Sequence, residues 1–322
     1  MEYILPKDGN FYKANLHSHT TDSDGFLSPQ ALCDMYKEHG YSVLCITDHD
    51  RMLDRSELCD DGFLVLNGFE HSVGQYGYMG RLVHIGMIAT SRDIKPEPFL
   101  CCVDRNSLDD AQYTEAVNNA VRLANERGFL CIQNHMRWSC DTDAECFAYE
   151  GFFGMEVYNH FSEVMGVEDY NIATQVNLAR HGKNLFAVMA DDDHNKPAWD
   201  VMQTNPFELT DTSLGGWVMI KAKALTYDSI ITALKNGDFY ASTGPEFYEL
   251  YINDENKLIV KCSEVKSITV TNMMRRGLTK FSRSDSFTEA EFDLCDVPGF
   301  VQVMITDKYG KRAVSQIKTL SK

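Results

Sequence analysis

Short apolar runs alternate with amphipathic helical segments over most of this chain. The apolar runs lie at residues 14–17, 42–47, 63–69, 82–88, 129–133, 154–158, 185–189 and 217–222. Helix boundary signals lie between them: Ser28-Pro29 opens a segment that ends at Gly40, and glycine also follows segments 108–127, 168–181 and 226–236. Continuously apolar strands separated by helices are typical of a parallel sheet. About seven or eight such units predict an α/β fold with a closed β/α barrel.

A different pattern begins near residue 245, where the helix signals fade and short alternating strands take over. These strands are predicted at residues 247–252, 258–262, 267–271, 288–292, 300–306 and 313–317. Turn pairs such as Asn253-Asp254 and Pro298-Gly299 separate them. The sequence therefore predicts two domains, an α/β domain at 1–243 and a small antiparallel β-sandwich at 244–322.

Composition narrows the class of protein. The formal charge of −17 argues against an extended nucleic-acid surface, because phosphate contacts need clustered Lys and Arg. The ten cysteines form no Cys-x-x-Cys pair, and the N-terminus shows no secretory pattern. No run of about 18 apolar residues predicts a membrane span. We therefore expect a cytoplasmic protein with reduced thiols and no membrane partner.

Most of the histidines stand beside carboxylates in short islands. The islands are His17-Ser18-His19 leading to Asp24, Asp48-His49, Glu70-His71, His84, Asn134-His135 and Asp191-Asp192-Asp193-His194. Imidazole and carboxylate without thiolate form the donor set of hydrolytic Zn²⁺, Mn²⁺ or Fe²⁺ centres. Five of these donors lie at or just after the end of a predicted strand, which is the edge of a β/α barrel where catalytic groups collect: His17, His49, Glu70, His135 and Asp192. His84 is the exception, because it lies inside its predicted strand.

In this order and spacing, residues 17–25, 47–50, 70, 84, 135 and 192–194 resemble the metal motifs of the PHP (polymerase and histidinol phosphatase) family. The resemblance covers most of residues 13–243 and implies a distorted β/α barrel of about seven strands, TIM-like, with two or three divalent ions (Mn, Fe or Zn). The metal ligands that it implies are His17, His19, Asp24, His49, Glu70, His84, His135, Asp192 and His194, with Glu70 bridging two ions. Within the run of three aspartates, the spacing to His194 favours Asp192. Met136 departs from the family, whose members often have Pro after this histidine.

The resemblance implies a metal-dependent phosphoesterase that hydrolyses a small phosphorylated metabolite, with a nucleotide as one candidate. A metal-bridging hydroxide held near Glu70 and Asp192 would attack phosphorus. Arg137 is a candidate phosphate contact, with a surface salt bridge as the alternative. Asp48 and Asp191 would orient ligands rather than bind metal.

Two other functions stay open at this point. One is hydrolysis of a carbamate, ester or amide on the same barrel, and the other is a non-catalytic module stabilised by metal. The sequence does not predict the oligomeric state or a role for the C-terminal β domain.

Overall fold

The computed structural model describes residues 1–74, 82–95, 108–195 and 212–320 of the 322-residue chain. Within these ranges, no helix combines the length and hydrophobicity that a membrane span requires. The cysteines that lie in them are free thiols, most of them buried.

Six α-helices lie in the described residues. They are α1 (Pro29–Glu38), α2 (Asp110–Glu126), α3 (Asp143–Ala148), α4 (His160–Val164), α5 (Ile172–Arg180) and α6 (Tyr227–Asn236). Of these, α1, α2, α5 and α6 are close to where the sequence signals predict helices, whereas α3 and α4 were not predicted. The Ser28 side chain caps α1 by accepting from the backbone of Ala31, with Pro29 in the first turn. Gly237 ends α6 with a φ of 75°, in the left-handed region that glycine adopts without strain. Local capping chemistry therefore sets these boundaries.

The strands of the N-terminal region form one mixed sheet. They are β2 (Asn10–Asn15), β3 (Val43–Ile46), β4 (Leu64–Val73), β5 (Val83–Ala89), β6 (Phe129–Gln133), β7 (Gly154–Asn159), β8 (Phe186–Ala190), β9 (Trp217–Ala222) and β10 (Phe239–Ser242). Their order is β10-β9-β2-β3-β4-β5-β6-β7-β8. The pairs β2–β3, β3–β4, β6–β7 and β7–β8 are parallel, as predicted.

The expectation of a wholly parallel sheet is wrong at two places. Strand β5 runs antiparallel to β4 and β6, and β9 runs antiparallel to β2 and β10. The connection from Val73 to Val83 is shorter than the crossover that parallel neighbours need, so β4 and β5 pair in opposite directions. As a result, the start of β5 lies at the sheet edge where the parallel strands end.

A closed barrel is not confirmed. The segments that follow β2 and β8 meet at a bridge between Ser18 and Asp193, where the backbone N–H of His19 donates to the Asp193 carbonyl at 2.8 Å. Further along β8, the Gln316 side chain accepts from the backbone N–H of Ala187 at 2.7 Å and donates to its carbonyl at 3.0 Å. That amide takes the backbone partners that a neighbouring strand would use. Among the described strands, β8 forms a ladder with β7 alone, and the segments after β2 and β8 are linked at the site-facing edge.

The C-terminal region is rich in antiparallel strands, as predicted. They are β11 (Phe247–Ile252), β12 (Lys257–Val265), β13 (Ser267–Asn272), β14 (Leu278–Phe281), β15 (Phe287–Asp293), β16 (Phe300–Thr306), β17 (Arg312–Ser315) and β18 (Lys318–Thr319). A four-stranded sheet has the order β1-β11-β12-β15, where β1 is Glu2–Tyr3, and the remaining strands continue the large sheet. Phe247, Val260 and Val303 lie in the apolar core of this region.

Two pairings cross the predicted boundary at residues 243 and 244. Strand β1 from the N-terminus pairs with β11, and β10 pairs with β17. The division into domains 1–243 and 244–322 remains a prediction.

Candidate metal centre

The histidine and carboxylate islands meet at the edge of the large sheet where β2, β3, β6 and β8 end. Three overlapping groups have ligand atoms that lie within 4.8 Å of one another, and these groups are His17/His19/Glu70/Asp192, His49/Glu70/His84 and His19/Asp24/His49/His194. His135 adjoins them, with its Nε2 3.1 Å from Glu70 Oε1. The structure thus brings together all nine predicted ligands. That they bind metal remains a prediction.

His84 reaches the cluster because β5 is antiparallel. It is the second residue of β5, so the start of that strand lies where its parallel neighbours end. Its Nδ1 lies 3.1 Å from Glu70 Oε1. The antiparallel direction of β5 therefore explains why His84, which lies inside its strand, still reaches the cluster.

Glu70 lies at the centre of the cluster and is 1% exposed. Its Oε1 lies 3.1 Å from a ring nitrogen of each of His17, His84 and His135, and its Oε2 lies 3.2 Å from His49 Nδ1 and 3.4 Å from His19 Nε2. The Asn134 amide also donates to Oε1, at 2.7 Å. One carboxylate thus contacts five imidazoles, as a ligand shared between ions would.

Asp192 is the member of the aspartate run that faces the cluster. Its Oδ1 lies 3.1 Å from Nε2 of both His17 and His19, and its φ of 55° is in the left-handed region. Asp191 and Asp193 instead accept hydrogen bonds from the buried hydroxyl of Tyr36, at 2.7 and 3.2 Å. An uncommon backbone conformation at a functional position is one way to aim a side chain, and here it directs Asp192 to the cluster.

The group around Asp24 is the more open side. The Asp24 side chain is 44% exposed, and its Oδ1 lies 3.4 Å from His194 Nε2 and 3.7 Å from His49 Nε2. Its loop is tight, because a Cβ on Gly25 would lie 2.4 Å from the His19 carbonyl oxygen. Asp24 is therefore the ligand candidate that solvent reaches most easily.

The donor set fits divalent cations. Glu70 Oε2 and Asp192 Oδ1 are buried and form no well-directed hydrogen bond within the described residues. Both oxygens face His19 Nε2, at 3.4 and 3.1 Å. Buried carboxylate oxygens are costly without a partner, and a cation between oxygen and ring nitrogens would supply one. Carboxylate and imidazole suit Mn²⁺, Fe²⁺ and Zn²⁺.

Charge coupling shifts the pKa values of these groups. Burial alone would lower the pKa of His19, but contacts with Asp192 and Glu70 outweigh it and raise the pKa to about 9. Burial is likewise outweighed at His135, where Glu70 raises the pKa to about 9. At His49, burial outweighs the attraction of Glu70 and lowers the pKa to about 4. Burial alone would raise the pKa of Glu70, but the adjacent histidines His84 and His17 hold it well below its usual value.

Asp48 and Asp191 lie behind the cluster and hold its loops. Asp48 accepts from the backbone N–H of Thr20 at 2.7 Å and from the Ser23 hydroxyl at 2.8 Å, which fixes the loop between His19 and Asp24. Asp191 accepts from the backbone N–H groups of Leu214, Gly215 and Gly216 at 2.8–2.9 Å. Both positions agree with the predicted orienting role, which stays a prediction.

Arg137 lies in a network beside the cluster. Its guanidinium donates to Asn171 Oδ1 at 3.1 Å, to Asp143 Oδ1 at 2.9 Å and to the Thr174 hydroxyl at 3.1 Å. These bonds tie the loop after β6 to α3 and α5. A phosphate contact by Arg137 stays a prediction, and these partners already use three of the five N–H donors of the guanidinium.

Two residues beside the cluster were not predicted as site residues. Glu156 in β7 is 1% exposed and lies 2.7 Å from His17 Nδ1. Trp138 is 37% exposed, and the centroid of its ring lies 4.9 Å from the centroid of the His135 ring. The available signal for Glu156 was a lone acid inside an otherwise apolar strand, because buried acids need partners.

Of three comparisons with known proteins, only the one with solved structures found similar chains. No family model matches the chain, and no curated protein matches it significantly. Among solved structures, a two-domain protein from Bacteroides vulgatus that contains a predicted PHP-like metal-dependent phosphoesterase is 16% identical, with a TM-score of 0.46, over 100% of this chain and 98% of that chain.

Two further structures resemble part of the chain. A proposed metal-dependent phosphoesterase from Bifidobacterium adolescentis is 14% identical, with a TM-score of 0.39, over 59% of this chain and 90% of that one. An amidohydrolase from Chromobacterium violaceum is 18% identical, with a TM-score of 0.34, over 56% and 87%. The chain is thus similar over its whole length to one solved structure described as PHP-like. At these identities and TM-scores the likeness adds nothing about chemistry, which rests on the site itself.

Proposed function

We propose that this protein is a metal-dependent phosphoesterase acting on a small phosphorylated metabolite, with a nucleotide as one candidate. The observation that carries the proposal is the set of three overlapping His/Asp/Glu groups. In each group the ligand atoms lie within 4.8 Å of one another, and two of the groups share Glu70. The order and spacing of the islands, which resemble the PHP motifs, support phosphate as the substrate group.

Divalent ions in this cluster would acidify a water and neutralise phosphoryl oxygens, which is the chemistry that a phosphate ester needs at neutral pH. The chain's own residues provide the rest. Glu70 and Asp192 offer buried carboxylate oxygens that face His19. They would compensate the charge of the ions and set their spacing, while the buried surroundings limit the access of bulk water.

The proposed entrance for the substrate is the side of the cluster with Asp24, which is the most exposed of the nine predicted ligands. The Trp138 ring contacts the rings of His84 and His135. A substrate arriving there would meet the group of His19, Asp24, His49 and His194 first.

Several finer expectations belong to the same proposal. We infer two or three ions of Mn, Fe or Zn, a barrel-like arrangement of the N-terminal strands, and a cytoplasmic location. The polar cluster lies in the N-terminal region, whereas the C-terminal strands enclose an apolar core. This difference supports separate roles for the two regions, with the chemistry in the N-terminal region.

The Asp192→Asn variant tests the proposal. The amide keeps the size of the side chain but removes the charge that faces His17 and His19, so metal-dependent turnover should fall below detection while circular dichroism stays as in the wild type. Phosphate release is measured on nucleotides, sugar phosphates and aryl phosphates after loading with Mn²⁺, Fe²⁺ or Zn²⁺. Unchanged turnover by the variant would contradict the scheme.

A second candidate is hydrolysis of a carbamate, ester or amide at the same cluster. The observation that favours it is the engagement of the Arg137 guanidinium with Asn171, Asp143 and Thr174, since phosphate recognition usually relies on an available cation. Carboxylate or amine release from a parallel panel would separate it from phosphoester hydrolysis. A metal-loaded protein inert on both panels would instead support a non-catalytic module.

A further inference from the structure

Glu156 lies behind the cluster, in the middle of β7 (Gly154–Asn159), and is not one of the nine predicted ligands. Its Oε1 lies 2.7 Å from His17 Nδ1. Its Oε2 accepts from the backbone N–H of His135 at 2.8 Å and from the Asn159 amide at 2.9 Å. Three donors therefore converge on one buried carboxylate.

The contact with His17 fixes which ring nitrogen carries the proton. An ionised carboxylate only accepts hydrogen bonds, so Nδ1 of His17 must be the donor. In the neutral ring, Nε2 then has a lone pair, and this atom lies 3.1 Å from both Glu70 Oε1 and Asp192 Oδ1. A carboxylate behind a histidine in this way raises its basicity and orients its ring toward a metal.

The second oxygen acts on the backbone that carries His135. That residue has a φ of 20°, outside the usual range for a side chain of its size, and its N–H donates to Glu156 Oε2. The Asn159 amide, which also donates to Glu156, lies 3.3 Å from Asp192 Oδ2. Glu156 thus connects to His17 and His135 directly and to Asp192 through one side chain.

We propose that Glu156 is a positioning residue of the metal centre, which holds the ring of His17 and the backbone of His135 for binding divalent cations. This rests on the metal-binding part of the proposed function and is independent of the bond that is hydrolysed. An amide at this position offers only one acceptor oxygen, so it cannot serve His17 on one side and the His135 N–H on the other.

The test compares Glu156→Gln with the wild type and with Glu145→Gln. Glu145 is also a buried glutamate, but it caps α3 by contacts with Thr142, a role that glutamine fills equally well. Zn²⁺ and Co²⁺ affinities are measured by competition with a chromophoric chelator, and the Co²⁺ absorption spectrum reports ligand geometry. We expect Glu156→Gln to weaken binding by about 10- to 100-fold and to change the spectrum, and Glu145→Gln to match the wild type.

Thermal melting of the metal-free variants shows whether each one folds. Equal Zn²⁺ and Co²⁺ affinities for folded Glu156→Gln and the wild type would overturn the proposal, as would a wild type that binds neither ion. Should the variant not fold, ¹⁵N-histidine spectra of the Zn²⁺-loaded wild type decide, with the His17 signals identified by their loss in His17→Gln. A proton on His17 Nδ1 supports the proposal, and a proton on Nε2 overturns it.

Phosphate release is assayed separately on the wild type. Metal affinity that depends on Glu156 in a protein that hydrolyses no phosphoester would sustain this inference and contradict the proposed function. Phosphate release by a protein whose metal affinity does not depend on Glu156 would support the proposed function and contradict this inference.

Discussion

The inner and outer sides of the cluster have the same residue types in different surroundings. The inner side, with Glu70, His17 and Asp192, is almost fully buried, whereas Asp24 on the outer side is 44% exposed. Buried charges depend on their partners, because removing one leaves the others without compensation. Exposed charges are screened by water and contribute little to stability. We therefore expect inner residues to affect both folding and metal binding, and outer residues to affect metal binding alone.

Glu70→Gln should have the largest effect. The change removes the carboxylate that faces five imidazoles, so unfolding free energy of the metal-free protein should fall by about 3 kcal/mol. Metal affinity should fall by at least about 100-fold. Urea unfolding and metal analysis after dialysis measure the two effects, with Glu145→Gln as the control. A variant of unchanged stability would contradict the distinction between the two sides.

The pH dependence of the metal-free protein should be next in size. Because the pKa values of His19 and His135 are raised to about 9, their stabilising contribution is complete below the unfolded value near 6.5 and is lost as pH rises to about 9. At His49 the sign is opposite, since its pKa of about 4 makes stability fall as pH drops from 6.5 toward 4.

Urea unfolding with a chelator present should therefore show stability falling as pH rises above about 6.5. Bound Zn²⁺ should abolish the loss above this pH, because a metal takes the place of the protons on the ring nitrogens. Stability that rises from pH 6.5 to 9 without metal would contradict the charge coupling on the inner side.

Asp24→Asn should weaken the binding of an ion held by His19, Asp24, His49 and His194 by about tenfold. It should change the unfolding free energy by less than about 0.5 kcal/mol. The side chain is half exposed, so water replaces much of its contact with His194. Asp34→Asn, at an exposed position on α1, is the matched control. A loss of stability as large as that of Glu70→Gln would remove the difference between the two sides.

Arg137→Lys should have the smallest effect. The planar guanidinium serves three side chains on α3 and α5, and lysine cannot reproduce this fork, so unfolding free energy should fall by about 1 kcal/mol with metal affinity unchanged. Arg122→Lys, at an exposed ion pair, is the control. An increase in KM without a change in stability would instead support the predicted phosphate contact.

Much of the local structure was predictable because its causes are local. The Ser28-Pro29 signal and the glycine after α6 lie at helix ends, and the strands Phe247–Ile252 and Phe300–Thr306 have their predicted bounds. Strand direction was not predictable in the same way, because burial gives parallel and antiparallel strands similar apolar patterns. The sheet was therefore expected to be parallel throughout, and β5 departs from it.

The sequence by itself determined the donor inventory: nine His, Asp and Glu residues in islands, most of them at predicted strand ends. Only the tertiary structure decided which atoms face one another. It brought His84 to the edge through the direction of β5, engaged Arg137 with Asp143 and its neighbours, and placed Glu156 behind His17. The physical reason is range. Residue type and periodicity indicate whether a position is buried or polar and which ligand atoms it offers. The partner of that residue lies on a distant segment of the chain, and only folding brings the two together.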